Sequence, residues 1–291
     1  MVSVVYEAPV SVQDAVALLA GADRTTMVLA GGTDLIIQMQ SLVSESRLVV
    51  DLKKIPEMMG AILDDDGLRL GPCMSCAELT SRDDIKSVYP GIVEAAFLIG
   101  STQIQGRASV GGNLCNSSPA ADTVPALIVN NAQCVVVGPL GERSVAVEEF
   151  ATGVGRNCLE KGELVSMIKI PRPGLNTSDA YLRFIPRSEM DIAVAGAAVS
   201  ITLDDDGICT AARVSIGAVA PTVLVVAEAA DALLGSKVDA DTLTAVADAA
   251  SKASNPITDR RGTHEYRRHV VGVLAKRAAA IAAERVRGMQ P

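Results

Sequence analysis

Two glycine-rich segments carry the residue types best suited to binding a charged ligand. The first runs Val28, Leu29, Ala30, Gly31, Gly32, Thr33, Asp34 and Leu35. Glycine lets the backbone approach a ligand closely, and free N–H groups where a helix begins favour an anion. The segment therefore predicts a pyrophosphate cradle, with the Thr33 hydroxyl as a further donor. The alternative is a simple chain reversal with Asp34 capping the next helix, because the G-x-G-x-x-G dinucleotide pattern is absent.

The second segment, residues 100–122, mixes Gly, Ser, Thr and Asn without clear periodicity. We predict an irregular loop, and loops of this length inside a compact domain are usually functional. Small side chains leave room for a flat ring system, while N–H and hydroxyl groups could satisfy ring atoms and phosphates. The candidate contacts are Thr102, Ser109, Val110, Gly111, Gly112, Asn113, Ser117 and Asp122. A turn-rich surface loop is the alternative, in which Asp122 caps a helix from Thr123.

The elements that must position these segments alternate between strand and helix at the start of the chain. Hydrophobic patterning predicts strands at 2–6, 25–30 and 48–52, a helix from Ser11 with Asp14 in a capping box, and a helix at 33–40. A hairpin over 61–70, helices at 76–88 and 91–99, and strands at 133–137 and 163–170 follow. Beyond a linker at 171–174 we predict strands at 180–185, 193–203 and 208–217, then helices at 222–235, 239–252 and 262–287.

Composition excludes several functional classes. The net charge of −8 argues against broad contact with nucleic acid, and aromatic residues at 2% leave little for ring stacking. No stretch approaches the roughly 20 apolar residues of a membrane span, and the N-terminus lacks the pattern of a secretory signal. We therefore expect a cytoplasmic protein, with any membrane association made through partners.

Metal-ligating and catalytic side chains are sparse. Cys73 and Cys76 form a C-x-x-C, but no second pair provides the ligands of a zinc or iron–sulfur site. His264 and His269 lie five residues apart in a predicted helix, far in sequence from both glycine segments. We therefore predict no metal site in this chain and no side chain that acts as a catalytic acid or base.

Taken together, the two segments resemble the FAD-binding (medium) subunit of molybdenum hydroxylases. This family includes the medium subunits of aerobic carbon monoxide, nicotine and nicotinate dehydrogenases and the FAD domain of xanthine dehydrogenase. The resemblance rests on residues 30–35, 109–113 and 118–122. It extends over the whole chain through residues 162–164, the strand end at 170–171 and the segment 183–193.

The resemblance implies an α+β fold. It consists of a two-part FAD-binding domain of the vanillyl-alcohol-oxidase/PCMH type and a smaller α+β C-terminal domain with a three-stranded sheet and helices. We place the FAD-binding domain at 1–175, with sub-parts 1–57 and 58–175, and the C-terminal domain at 176–291. FAD is the implied cofactor of this chain.

The resemblance also implies roles for single residues. The first glycine segment would hold the pyrophosphate and nearby ribityl, and residues 109–113 would continue around the phosphates and flavin. Asp122 would accept hydrogen bonds from cofactor hydroxyls. Ile99 and Val165 would line the site, and Arg183 would stand where relatives often have lysine. The loop 187–191 would lie near the isoalloxazine ring.

The implied function is electron transfer within a larger enzyme. A large partner subunit would hold the molybdenum cofactor, a small one would hold 2Fe–2S clusters, and this chain would pass electrons through FAD to an external acceptor. The expected assembly is a dimer of heterotrimers. Two alternatives stay open: a self-contained NAD(P)H-dependent flavin reductase of the same superfamily, and a flavin-free binding or assembly protein. The substrate and the acceptor (quinone, cytochrome, NAD or oxygen) do not follow from this sequence.

Overall fold

The computed structural model describes residues 4–41 and 46–289. Its first part, here called the N-terminal lobe, contains β1 (Val4–Glu7), α1 (Val12–Gly21), β2 (Thr25–Leu29), α2 (Leu35–Ser41) and β3 (Arg47–Asp51). The strands form a parallel sheet in the order β1–β3–β2. These elements confirm the predicted alternation, although residues 2 and 3 of the predicted first strand lie outside the described residues.

The start of α1 follows the predicted cap. The Ser11 hydroxyl accepts a hydrogen bond from the Asp14 N–H at 3.1 Å, which satisfies one of the free donors at the helix start. Ala15 and Leu19 then turn inwards and pack with Val50 of β3 in the core of this lobe. Because the sheet is parallel, the carboxyl ends of all its strands lie at one edge. The first glycine segment leaves β2 at that edge.

The central lobe follows two short 3-10 turns at Leu52–Lys54 and Pro56–Met58. Its antiparallel sheet has the order β4–β5–β10–β6–β7. The elements are β4 (Ala61–Asp64), β5 (Gly67–Leu70), α3 (Cys76–Thr80), α4 (Asp83–Val88), α5 (Pro90–Phe97), α6 (Thr102–Gln105), α7 (Val110–Cys115), α8 (Thr123–Val129), β6 (Gln133–Gly138), β7 (Gly141–Ala146), α9 (Val147–Phe150), β8 (Ala151–Gly153), β9 (Arg156–Asn157) and β10 (Leu164–Pro171).

Two predictions for the central lobe are wrong. The segment 100–122 is not an irregular loop, because it contains α6 and α7. Ser109 caps α7 by accepting the Gly112 N–H, and the helix buries Val110 and Leu114. The single helix predicted at 76–88 is two helices, since the Ser81 hydroxyl bonds back to the Glu78 carbonyl where α3 ends.

The C-terminal lobe packs an antiparallel sheet against helices. It contains β11 (Thr177–Phe184), β12 (Ala195–Leu203), β13 (Cys209–Gly217), β14 (Leu224–Val225), α10 (Ala227–Leu233), α11 (Ala240–Ala253) and α12 (His264–Met289). In the described part of the chain this sheet has four strands, not the predicted three, because Leu224 and Val225 pair with Ile216 and Ser215. The helix predicted from 222 therefore begins only at Ala227.

The central and C-terminal lobes share buried polar contacts. Asp179 of β11 accepts the Gly91 N–H at 3.1 Å and the Asn130 amide at 2.6 Å, and burial raises its pKa to about 6. Arg285 of α12 pairs with Glu94 of α5 and donates to the Asp179 carbonyl at 2.6 Å. Tyr181 lies in the core of the central lobe. None of the helices within 4–41 and 46–289 has both the length and the apolar run needed to cross a bilayer.

Candidate functional site

A cavity of about 350 Å³ lies where the N-terminal and central lobes meet. Both glycine segments border it, so residues more than 70 positions apart in sequence share one site. Of the candidates predicted from sequence, those that line the cavity are Val28, Ala30, Gly31, Gly32, Thr33, Asp34, Leu35, Ile99, Ser109, Gly111, Gly112, Asn113 and Val165.

The first glycine segment forms a tight turn whose donors are free. Within the described residues, the N–H groups of Gly31, Gly32 and Thr33 donate to no protein acceptor. A Cβ at Gly31 would lie 1.9 Å from the Arg107 carbonyl oxygen, so only glycine lets the turn pack against the second segment. Gly32 has a φ of +83°, in the left-handed region that favours glycine. Three free donors in one turn are suited to an anionic ligand.

The second glycine segment is arranged differently. The Gly111 N–H donates to the Pro72 carbonyl at 3.1 Å and the Gly112 N–H to the Ser109 hydroxyl at 3.1 Å, so both donors already have protein acceptors. A Cβ at Gly111 would lie 2.3 Å from the Pro72 Cβ, whereas one at Gly112 would meet only the Ser109 hydroxyl at 3.0 Å and the Ala30 Cβ at 3.9 Å. Gly111 therefore serves close packing, while Gly112 keeps space open beside the cavity.

Asn113 supplies a fixed polar group to the cavity wall. Its Oδ1 accepts hydrogen bonds from the Thr123 N–H at 3.1 Å and the Thr123 hydroxyl at 2.7 Å. A backbone N–H can only donate, so this bond fixes which side of the amide carries oxygen. Among the described residues the Asn113 Nδ2 has no acceptor. It is a positioned donor available to a ligand.

The remaining sequence candidates do not line this cavity: Leu29, Thr102, Val110, Ser117, Asp122 and Arg183. Asp122 and Arg183 form a buried ion pair at 2.7 Å, and the Tyr181 hydroxyl donates to Asp122 at 2.9 Å. Burial raises the pKa of Asp122 to about 6 and that of Tyr181 well above its ordinary value. Asp122 stands at the start of α8, yet its side chain makes no cap hydrogen bond. Its oxygens are held by the C-terminal lobe instead.

Several cavity-lining residues were not found from the sequence. They are Thr26, Met27, Gln38, Leu52, Pro72, Cys73, Ala108, Cys115, Asn116, Asn157, Leu159, Glu163 and Leu164. Gln38 donates to the Asn116 side chain at 3.0 Å and thereby links α2, which follows the first glycine segment, to the second segment. Arg143 binds the Glu163 carboxylate with two bonds and holds its pKa below the ordinary value.

The cavity-lining thiols are inert. Burial raises the pKa of Cys73 and of Cys115 to about 12, so both stay protonated at neutral pH and act as apolar wall. Within residues 4–41 and 46–289, no cluster of His, Cys, Asp and Glu is arranged to hold a metal ion.

The lining fits a flat, partly apolar molecule that carries a diphosphate. Val28, Leu35, Ile99 and Val165 offer apolar surface, and the turn at Gly31–Thr33 offers donors. No Lys, Arg or His side chain is among the described residues that line the cavity, and its charged side chains are Asp34 and Glu163. An anion bound there must therefore rely on backbone N–H groups and neutral side chains. FAD meets these requirements.

Comparison with known proteins gives consistent results over nearly the whole chain. Residues 2–173 match the model of the FAD binding domain in molybdopterin dehydrogenase, and residues 180–282 match that of the CO dehydrogenase flavoprotein C-terminal domain. The carbon monoxide dehydrogenase medium chain of Afipia carboxidovorans is 33% identical, with 97% of each chain covered. The xanthine dehydrogenase FAD-binding subunit of Escherichia coli O157:H7 is 30% identical, with 94% of this chain and 93% of that one covered.

Solved structures show the same fold. A chain of reconstituted CO dehydrogenase from Oligotropha carboxidovorans matches with a TM-score of 0.92 at 32% identity, covering 97% of this chain and 98% of that chain. A chain of the Hydrogenophaga pseudoflava carbon monoxide dehydrogenase that lacks the Mo-pyranopterin moiety matches with a TM-score of 0.90 at 32% identity, with 97% of each covered. The predicted α+β class, with a FAD-binding part followed by an α+β C-terminal part, is thereby confirmed.

Proposed function

The chain belongs to the family of FAD-binding domains in molybdopterin dehydrogenases, and from this premise we propose that it is the FAD-carrying electron-transfer subunit of a molybdenum hydroxylase. The observation that carries the proposal is the cavity between the two glycine segments. Within residues 4–41 and 46–289, its turn at Gly31–Thr33 presents N–H groups without a protein acceptor, and no basic side chain lines the cavity. Backbone donors of this kind are suited to the pyrophosphate of a dinucleotide.

The proposed roles follow the geometry. The N–H groups of Gly31, Gly32 and Thr33 bind the pyrophosphate, and the Asn113 amide donates to a polar atom of the cofactor. Gly112 leaves space for it, while Ile99 and Val165 exclude water. When bound, FAD supplies the redox chemistry, taking electrons from iron–sulfur clusters and passing them to an acceptor.

We propose that Asp122 and Arg183 act at the edge of this site. Their ion pair holds β11 against the start of α8, so it supports the part of the central lobe that continues from α7. A direct contact between Asp122 and cofactor hydroxyls stays a proposal. The division into an FAD-binding domain at 1–175 and a C-terminal domain at 176–291 is also proposed. It agrees with the passage from β10 to β11 across residues 172–176.

The names of the relatives support a multi-subunit enzyme. They are called medium chains and FAD-binding subunits of dehydrogenases, which favours a subunit over a self-contained flavin reductase. We propose a large partner with the molybdenum cofactor, a small partner with 2Fe–2S clusters, a dimer of such heterotrimers, an external electron acceptor and a cytoplasmic location.

Purification of the tagged chain from its native host tests this function. We expect the visible spectrum to show flavin together with broad iron–sulfur absorbance, and mass spectrometry to find a large and a small partner. A yellow chain without partners that NADPH reduces would contradict the proposal and favour the reductase. A colourless chain without partners would contradict it in favour of a binding protein.

A further inference from the structure

A hydrogen-bonded group of three side chains lies behind the first glycine turn. Lys53 Nζ donates to the Ala30 carbonyl oxygen at 2.9 Å and to Asp51 Oδ1 at 2.7 Å. The Tyr6 hydroxyl donates to Asp51 Oδ2 at 2.6 Å. Tyr6 is in β1, Asp51 ends β3, and Ala30 directly follows β2. The group therefore joins the carboxyl ends of all strands of the parallel sheet at the point where the turn begins.

Asp51 is buried and holds Lys53 in one orientation. Burial alone would raise the pKa of Asp51, but the hydrogen bonds from Lys53 and Tyr6 outweigh it and hold that pKa below the ordinary value. The Lys53 backbone N–H also donates to Asp51 Oδ1 at 3.0 Å. An ammonium group held by a buried carboxylate makes a strong, directed hydrogen bond to its other acceptor, the Ala30 carbonyl.

The bond to Ala30 fixes the orientation of the following peptide. In a planar trans peptide the C=O of one residue and the N–H of the next point in opposite directions. Because Lys53 holds the Ala30 oxygen, the Gly31 N–H must point away from Lys53. Gly31 is also the first of the three residues whose N–H groups have no protein acceptor within the described part of the chain.

The cavity itself offers no basic side chain among its described lining residues. An anion held by neutral donors depends on those donors being in place before it binds, since each rotation that binding must freeze weakens affinity. Lys53 lies outside the lining, and Asp51 balances its charge. It can therefore act on a ligand through the geometry of the turn.

We propose that Lys53 is a positioning residue that holds the Ala30–Gly31 peptide in the orientation needed to bind a diphosphate. The inference rests on the proposed function, because it assumes that the turn binds the FAD pyrophosphate. Lys53 would thus contribute to diphosphate binding although it lies outside both glycine segments and does not line the cavity.

The test compares variants of two neighbouring lysines in the deflavinated full chain. Lys53→Met removes the donor and keeps much of the side-chain length, whereas Lys53→Arg restores a cationic donor. Lys54→Met is the matched control, since Lys54 is in the same 3-10 turn, is exposed and has a side chain with no hydrogen bond or ion pair to a described residue. Affinities for FAD come from flavin fluorescence, and those for ADP and adenosine from competition with FAD.

We expect Lys53→Met to lower the affinities for FAD and for ADP by at least about tenfold (about 1.4 kcal/mol). The affinity for adenosine, which has no phosphate, should fall much less. Lys53→Arg should recover most of the loss, and Lys54→Met should bind like the wild type. The fall in the ratio of ADP to adenosine affinity is the result that a purely structural role would not produce.

Two results overturn the inference and can be told apart. If the wild-type chain binds FAD, and Lys53→Met binds both FAD and ADP with the same affinities as the wild type, the positioning role fails while the proposed function stands. The role also fails if Lys53→Met weakens ADP and adenosine by the same factor, because the effect is then not specific to the diphosphate. If the wild-type chain binds neither FAD nor ADP, the proposed function itself fails.

Discussion

Gly111 and Gly112 are neighbours in α7, yet the space beside them differs. A methyl group at Gly111 would collide with Pro72, and one at Gly112 would extend towards Ala30 of the first glycine segment. At the scale of the residue, one glycine serves the packing of the lobe and the other serves the cavity. Gly32 is less useful for such a comparison, because its φ of +83° strains any substitution.

The paired alanine variants test this assignment. Gly112→Ala should weaken FAD binding by about tenfold or more with little change in the thermal stability of the deflavinated chain. Gly111→Ala should instead lower the free energy of unfolding by about 1–3 kcal/mol, as overpacking commonly does. Fluorescence titration and urea denaturation measure the two quantities. Equal FAD affinity of Gly112→Ala and the wild type would refute the role of Gly112.

The sequence predicts local structure and site residues where the signals for them lie within a few neighbouring positions. The first glycine turn, its preceding strand and the Ser11 cap are all encoded within a few positions, and the sequence indicated each of them. Leu52, Pro72, Asn157 and Leu159 line the same cavity, but nothing beside them in sequence marks them. Their positions depend on how the lobes pack, which local patterns do not report.

At the scale of elements, short helices and edge strands were the hardest to predict. Helices α6 and α7 have only four and six residues, less than the two turns that periodicity needs. Strand β7 was missed because it is mostly exposed at the edge of its sheet and carries polar residues. The Ser109 cap is the one local feature that could have indicated α7.

Asp179 connects β11 with α5 and α8, and its ionisation should affect stability. Its pKa of about 6 in the folded chain exceeds the ordinary 3.8, so the folded state binds the proton more tightly. The resulting stabilisation is fully present below about pH 4 and is lost as the pH rises through about 6.

Asp179→Asn should remove this dependence. Relative to the variant, the wild type should lose about 1–3 kcal/mol of unfolding free energy between pH 4 and pH 7. Urea denaturation at both pH values provides the measurement, with Asp205→Asn in an exposed turn as the control. If the difference in unfolding free energy between the wild type and Asp179→Asn is the same at both pH values, Asp179 does not titrate in this range.

For the whole molecule, the contact between α5 and α12 joins the central and C-terminal lobes. Arg285 binds Glu94 and the Asp179 carbonyl, and the Tyr181 N–H donates to Glu94 at 3.0 Å. The α5 and α12 helices are thus tied to the same stretch of β11. Loss of Arg285 leaves Glu94 and a backbone carbonyl without their charged partner.

Arg285→Met should therefore destabilise the chain by about 1–3 kcal/mol, a range that allows for partial exposure of the ion pair. Arg277→Met is the matched control, because Arg277 is an exposed arginine of the same helix. Calorimetry should show a lower melting temperature for Arg285→Met only. Equal melting temperatures for both variants would mean that the contact contributes nothing to the joining of the lobes.

The most direct test of the central claim is a crystal structure of the full chain with FAD. We expect pyrophosphate oxygens within about 2.7–3.2 Å of the Gly31, Gly32 and Thr33 N–H groups, with the cofactor lying in the cavity that Ala30 and Gly112 line. A structure in which FAD lies elsewhere, with these N–H groups unbound, would contradict the account.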